Sequence, residues 1–383
     1  MSGVAARFGA VRSFFGRHQS LSIVVIALLV TVVLPIASLV PPFSGFGTQK
    51  DFVGGFADAG VFVLLALGLN VVVGLAGLLD LGYAAFFAIG AYTYAYGASG
   101  FTGLDVPFWV MLLVGALVAA VFGLLLGAPT LRLRGDYLAI VTLGFGEIVP
   151  VVFLNADTYT NGTNGITGIA QPSLYGLFGI NGFGFTDPWP YYLTIVGIIT
   201  ISMIFLYRLQ DSRLGRAWVA LREDELAAAS MGINTITTKL LAFAIGASTS
   251  GLAGVFYSAK LSTVSPGDFG FTVSFTALAM VVLGGMGNIW GVSAGAFIIY
   301  EIQSQGLKQL DAFVKSLHLA PIGPVDLGSI NFLNYQYLLY GLALVLMMLV
   351  RPEGLFPSRR RRRELREEGP TDEMTSPDPV GGT

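Results

Sequence analysis

Apolar residues fall along this chain in runs of about twenty, the length a helix needs to cross the roughly 30 Å of a bilayer's hydrocarbon. The runs lie near 21–40, 58–79, 81–99, 108–128, 136–154, 190–207, 240–259, 271–287, 288–302 and 333–350. Only helices or closed barrels satisfy every backbone group in lipid, and runs this long are helical. The pattern predicts an all-α fold, a polytopic transmembrane helical bundle of about ten spans. The first run is long for a signal peptide and lacks a clear small-residue cleavage point, so it reads as a retained span.

Composition agrees with the pattern. The 383 residues are 54% hydrophobic and only 11% charged, with a mean hydropathy of +0.73, whereas soluble domains carry about 25% charged residues. Glycine, at 50 residues, is about double its usual share of ~7%, as expected where membrane helices approach closely. With no cysteine, disulfides, thiolate catalysis and cysteine metal sites are excluded. The only imidazoles, His18 and His318, lie in polar segments, and no metal site is expected.

Basic residues give the orientation, since cytoplasmic loops carry the Lys and Arg excess. With both termini cytoplasmic, all of the 21 Lys and Arg except Lys50, Lys260, Lys308 and Lys315 fall inside. The chain then divides into a cytoplasmic N-terminal segment, 1–20, a transmembrane domain, 21–356, and a tail, 357–383. The tail begins as a basic anchor and becomes acidic, Pro-containing and disordered. The transmembrane domain includes an external loop, 155–189, rich in Asn, Gly and Thr, which would suit an external protein partner.

One block breaks the apolar pattern. From Arg208 through Lys239 there are nine charged residues, and at roughly 2.5–3.5 kcal/mol each at a helix centre, burial in lipid would cost more than ~20 kcal/mol. Yet Ala217 to Leu221 and Leu226 to Ala229 are strong helix formers and Gly232 is a natural stop. The segment 208–239 therefore reads as cytoplasmic, with one short helix over 215–234. Arg222 and Glu225, three apart, would pair along its face for a few tenths of a kcal/mol. Either this helix meets a partner or it is merely solvated.

"GRAWVALREDELAAASMGIN", from Gly215, resembles the cytoplasmic coupling segment of permease subunits of branched-chain amino-acid ABC importers, the high-affinity leucine/isoleucine/valine uptake family. "LGLNVVVGLAGLLDLGYAAFFAIGAY" from Leu67, "LRLRGDYLAIVTLGFGEI" from Leu131, "MVVLGGMGNIWG" from Met280 and "RPEGLF" from Arg351 are similar to the same subunits, so the resemblance covers roughly 60–356. One position departs: the general importer pattern has a Glu six residues before Gly232, where Leu226 stands, and Glu225 comes one place earlier. The resemblance implies a permease in a bacterial-type inner membrane, moving branched-chain amino acids inward without being an enzyme itself. It implies two ABC ATPase subunits, a second homologous permease and an external solute-binding protein as partners, with membrane lipid around it and no nucleic acid. Arg222, Glu223, Asp224, Glu225, Ala228 and Gly232 would then carry ATPase coupling.

The residues agree on energetics. None of the five lysines closes a G-x-x-x-x-G-K-[ST] phosphate loop, so no cofactor of its own is expected, and ATP would be bound by partner subunits. Related permeases also serve urea and short amides, which leaves that substrate class as the alternative. A rival class, an ion-coupled secondary transporter or channel, usually carries ionisable groups at midplane, and here only Glu147 lies deep in a span. A membrane enzyme has no support, with no catalytic pairing or metal spacing. Asn70 and Glu147 are the candidates for the translocation path, against the alternative that they only join helices. Asp80, between two spans, is expected to cap the next helix. Ala242, Gly246, Ser250, Gly254 and Ser258 recur every fourth residue, predicting a helix-packing face. Gly287, Gly291 and Gly295 repeat the device, as do Gly123 and Gly127.

Overall fold

A computed structural model describes residues 19–37, 49–130, 136–173, 183–184, 187–308, 311, 315, 335–350 and 354–356. The tail over 357–383, the segment 1–18 and part of the loop 155–189 lie outside the described residues.

The described chain is a helical bundle. Its apolar helices are α1 (Gln19–Ala37), α2 (Gln49–Leu69), α3 (Ala84–Gly97), α4 (Phe108–Thr130), α5 (Asp136–Asn155), α7 (Trp189–Gln210), α10 (Thr235–Leu261), α11 (Phe271–Gly284), α12 (Ile289–Glu301) and α13 (Gln336–Val350). One short turn, α6 (Asp157–Thr160), follows α5, and two polar helices, α8 (Arg213–Glu223) and α9 (Glu225–Ser230), precede α10. Among the described residues six helical stretches are long and apolar enough to cross a membrane: 49–75, 108–129, 137–155, 189–210, 235–261 and 266–284. Among the described residues α3, α12 and α13 are shorter, and in α1 the apolar part is the shorter stretch Ser22–Ile36.

The expected run 58–79 is displaced in the structure. Its helix begins at Gln49, where Gln49 and Lys50 form the first turn, and at Asn70 it passes into a wider π-helical turn, Asn70–Leu75. Position in the bundle decides burial. In the 49–75 helix 83% of the most apolar window is buried, against 22% in the 137–155 helix. α2 is therefore a central helix, and α5 is peripheral, with Ile140, Ile148 and Val151 exposed.

α10 packs along α4, α3 and α2. Ala242, Gly246, Ser250, Gly254 and Ser258 are all buried, as the four-residue repeat predicts. A Cβ on Gly246 would lie 2.6 Å from Val72 Cγ2, and one on Gly254 would lie 2.6 Å from Ala91 N. A second bare surface turns toward α4, where a Cβ on Gly251 would meet Ala119 and Gly115, and one on Gly123 would meet Ala247. A hydrogen bond secures this packing, with Tyr83 donating its hydroxyl to Gly246 O (2.7 Å), and another joins α3 to α11, where Ala84 N donates to Ser274 Oγ (2.8 Å).

Gly287 does not belong with Gly291 and Gly295. It lies in the turn between α11 and α12 with φ +79°, while Gly291 and Gly295 pack on Gly284 of α11. The four-residue spacing misled because the helix starts only at Ile289, and Gly287 is needed for its left-handed backbone.

Beyond the C-terminal end of α10, β2 (Thr263–Val264) pairs antiparallel with β1 (Ile166–Thr167), with Ile166 opposite Val264. This ties the segment after α5 to that end of the bundle. α8 and α9 sit at the other end of α10, whose 27 residues span about 40 Å.

Thr163, just before β1, and Ser230, in α9, are both exposed. Cysteines introduced at these positions are expected to label with an impermeant thiol reagent from opposite sides of the membrane, Ser230→Cys only after permeabilisation. Labelling of both from one side would contradict this arrangement of α10. Gly254→Leu is expected to abolish the monodisperse protein, since its neighbours are backbone atoms that cannot move aside. Gly197→Ala, which meets nothing within 4 Å, should leave elution and thermal stability unchanged.

Candidate functional site

The stretches singled out in the sequence meet at one end of the bundle, around the end of α2. Asn70 begins the π turn and is buried, with its Oδ1 accepting a hydrogen bond from Gly287 N (2.8 Å). Gly74 makes this possible, because a Cβ there would lie 2.6 Å from Gly287 N. The wider turn also changes the backbone partners that follow: Ala76 N donates to Val71 O and Leu78 N to Val72 O. Gly74 O accepts from Arg222 Nη1 of α8 at 2.6 Å. Gly77, at φ +71°, leaves room for the stem of Arg222, whose Cγ would stand 2.6 Å from any Cβ. Gln210, at the end of α7, donates to Gly287 O (3.5 Å).

The other two stretches join here. Phe356 N donates to Gly284 O and Asn288 Nδ2 donates to Phe356 O (2.8 Å), so the described end of that stretch, 354–356, folds back on the turn after α11. Thr142 of α5 accepts from Leu81 N (3.0 Å). Asp80 is buried in this segment, and its Oδ1 accepts from Gly82 N (2.9 Å), so it closes the turn ahead of α3. It does not cap α3, whose capping residue is Tyr83 with no side-chain bond. Burial pushes the Asp80 carboxyl up to about 6, against the lowering effect of its bonds to Gly82 and Thr142.

The charged segment is two helices and not one. Ser212 caps α8 by accepting from Gly215 N (3.3 Å). α8 buries Gly215, Trp218 and Leu221, and Trp218 Nε1 donates to Thr238 O (2.8 Å) at the start of α10. At Asp224 the backbone is extended (φ −154°, ψ 112°), and the Asp224 carboxylate caps α9 by accepting from Leu226 N (2.8 Å) and Ala227 N (3.0 Å). An Asp before a strong helix former makes as good a start as a continuation. Arg222 and Glu225 consequently belong to different helices and do not pair along one face. Glu225 instead accepts from Lys239 Nζ of α10 at 2.6 Å, with Lys239 nearly buried. α9 ends as Gly232 was expected to allow: Gly232, at φ +85°, donates to Ala229 O, and Ile233 N donates to Ala228 O.

This arrangement sorts the coupling candidates. Glu223, Asp224 and Gly232 are exposed, Arg222 and Glu225 are half-buried against the spans, and Ala228 is buried against this chain. Two residues that the charge pattern concealed stand outward: Leu226 is 68% exposed and Met231 83%. Their signal in the sequence was apolar character on a polar helix. An open cavity of about 530 Å³ lies between α8, the end of α7 and the turn at Gly74 and Gly287.

The path candidates Asn70 and Glu147 are not brought together. Glu147 is exposed on α5 and accepts from Phe271 N (3.2 Å), the first residue of α11, whereas Asn70 holds Gly287 beyond that helix's last residue. They stand at opposite ends of α11, roughly 20 Å apart.

The family model described as branched-chain amino acid transport system / permease component matches residues 52–348. The chain is 42% identical over 324 residues to the high-affinity branched-chain amino acid transport system permease protein LivM of Escherichia coli (strain K12), covering 80% of this chain and 70% of that protein. It is 28% identical to the corresponding permease LivH of the same organism over 65% of this chain and 83% of that one. It is 31% identical to the ribose import permease RbsC, also from Escherichia coli (strain K12), over 72% and 82% respectively. No solved structure matches the chain.

The Glu225–Lys239 pair is expected to hold α9 on α10. Glu225→Lys should lower stability by about 1–3 kcal/mol, and adding Lys239→Glu should restore part of the loss. Thermal unfolding of the purified protein measures both, and equal melting temperatures for the single and double variants would show that the pair does not couple.

Proposed function

This chain belongs to the branched-chain amino acid transport permease family, and on that premise we propose that it is the membrane subunit of an ATP-driven importer of branched-chain amino acids. It spans an inner membrane about ten times with both termini cytoplasmic. A second homologous permease completes the pore, an external binding protein delivers the solute, and two ATPase subunits dock on α8 and α9 and bind the ATP. The likeness to both LivM and LivH supports the pairing of two permeases.

The observation that carries the coupling role is the surface of α9. Leu226 on α9 and Met231 just after its last residue are exposed on a polar segment outside the spans, and exposed apolar side chains at such places mark protein contacts. Behind them, the Glu225–Lys239 pair and the Arg222–Gly74 bond attach the helices to α10 and α2. A push on α8 and α9 together would therefore reach both spans, through Arg222 and through Glu225. A second reading, a permease for urea or another small polar solute, is supported by the similarity to a ribose permease, since one architecture evidently serves different solutes.

Uptake of labelled leucine in a strain lacking the native importer is expected to require this chain and to persist in excess urea; competition by urea would favour the second reading. Leu226→Ala with Met231→Ala should leave the permease inserted and monodisperse, and should lower ATPase co-purification about tenfold or more, the range of paired contact residues. Undiminished co-purification and coupled uptake would remove α9 as the docking surface.

A further inference from the structure

At the end of the bundle opposite α8 and α9 there is a cavity of about 650 Å³, within the ≈300–1,000 Å³ range of small-molecule sites. It lies between the first turns of α2, the last turn of α10, the start of α7 and the end of α12. Lys50, Lys260 and Lys308 line it, three of the chain's five lysines. On the face that the basic-residue bias otherwise keeps poor in Lys and Arg, this is a concentration of positive charge in one place.

Opposite charge is built in with it. Lys260 donates to Asp58 (2.5 Å) and to Gly54 O (2.9 Å), and both Asp58 and Gly54 line the cavity. Gly55 also lines it, and a Cβ there would stand 3.4 Å from Gln305 Nε2 and 3.9 Å from Glu301 Oε1, so its bareness opens the wall toward Glu301. Two polar groups in these walls, the Tyr191 hydroxyl and Ser304 Oγ, and a third just behind Gly55, Glu301 Oε1, are buried without a hydrogen-bond partner. Tyr191 is only 3% exposed. A buried polar atom left unpaired costs free energy that a bound polar ligand recovers. Phe52 and Tyr300 supply apolar wall.

We propose that this cavity is a receiving site for a free α-amino acid zwitterion with an aliphatic side chain. Lys260 and Lys308 hold the carboxylate, Asp58 and Glu301 face the ammonium, and Phe52 and Tyr300 accept the side chain. The proposal rests on the importer reading above and adds to it a binding step within this subunit, before the pore is entered.

The test is binding of labelled leucine to the complete permease–ATPase assembly in nanodiscs, without the binding protein, alongside uptake by the wild type. Leucine should bind and be displaced by unlabelled leucine, but not by leucinamide, which lacks the carboxylate, nor by 4-methylpentanoate, which lacks the ammonium. Lys260→Met and Asp58→Asn should each weaken binding about tenfold or more, as for loss of a charge-assisted bond, and Lys260→Arg should retain it. Lys308→Gln changes an exposed side chain and should weaken binding several-fold in an assembly of unchanged elution. No leucine binding in the wild type, or wild-type affinity in Lys260→Met and Lys308→Gln, would overturn the proposal. Equal displacement by 4-methylpentanoate would mean a plain anion site, such as one for a lipid phosphate, and would overturn it too. So would variants that lose stimulation by the binding protein while keeping leucine affinity, which would make this a protein-docking surface. If wild-type uptake of leucine is present and the variants bind normally, this proposal alone fails. If the wild type neither takes up nor binds leucine, the importer reading fails with it.

Discussion

Away from water every backbone group must find a partner inside the protein, and this requirement is sharpest where α2 leaves α-helical geometry. From Asn70 onward the hydrogen bonds reach one residue farther, and the carbonyl of Gly74 is taken by the guanidinium of Arg222. The Asn70 side chain meets the N–H of Gly287 in a turn whose φ of +79° requires glycine. Each of these bonds needs a bare position beside it, which Gly74 and Gly77 provide. Glycine is used here to let polar groups meet, and only elsewhere to let helices touch.

The second use dominates α10. Its small residues bring α2, α3 and α4 so near that a Cβ at Gly246, Gly251 or Gly254 would overlap a neighbour. Lipid offers no hydrophobic drive between helices, so close dispersion contact and the bonds it permits supply the association. The bond from Tyr83 to Gly246 O is an example, since a hydroxyl reaches that carbonyl only because the helix surface there is flat.

Most of the helices were legible because a run of twenty apolar residues has few other fates. The bounds of α5, at 136–155, and α11, beginning at Phe271, follow the runs closely. The misplacements come from local chemistry that hydropathy does not weigh. The polar start of α2, Gln49 to Asp51, is helical because it lies at an end of the bundle, where charge is tolerated. The break at Asp224 was hidden because the same Asp that can sit in a helix also caps one. The role of Lys239 was hidden because its partner Glu225 is 14 residues away, across a turn. The outward position of Leu226, which departs from the general importer pattern, could have been weighed as contact surface from the sequence alone.

The two ends of the molecule are joined by the same pair of helices. α2 carries Asp58 and Gly54 at the lysine-lined cavity and runs on to Gly74 at Arg222. α10 carries Lys260 at the first end and Lys239 at the second, 21 residues or about 30 Å apart. Between these ends the helices are locked, with a Cβ on Gly68 excluded by Thr249, Tyr83 and Gly246. Packed cores do not deform continuously, and they shift as units. Arg222 joins α8 to the carbonyl of Gly74 at the end of the 49–75 helix, and Glu225 joins α9 to Lys239 of α10, so the polar helices are attached to both members of this packed pair. The cavity at the far end is built on the same two helices, because the pair in its wall, Lys260 and Asp58, is made of one residue from each.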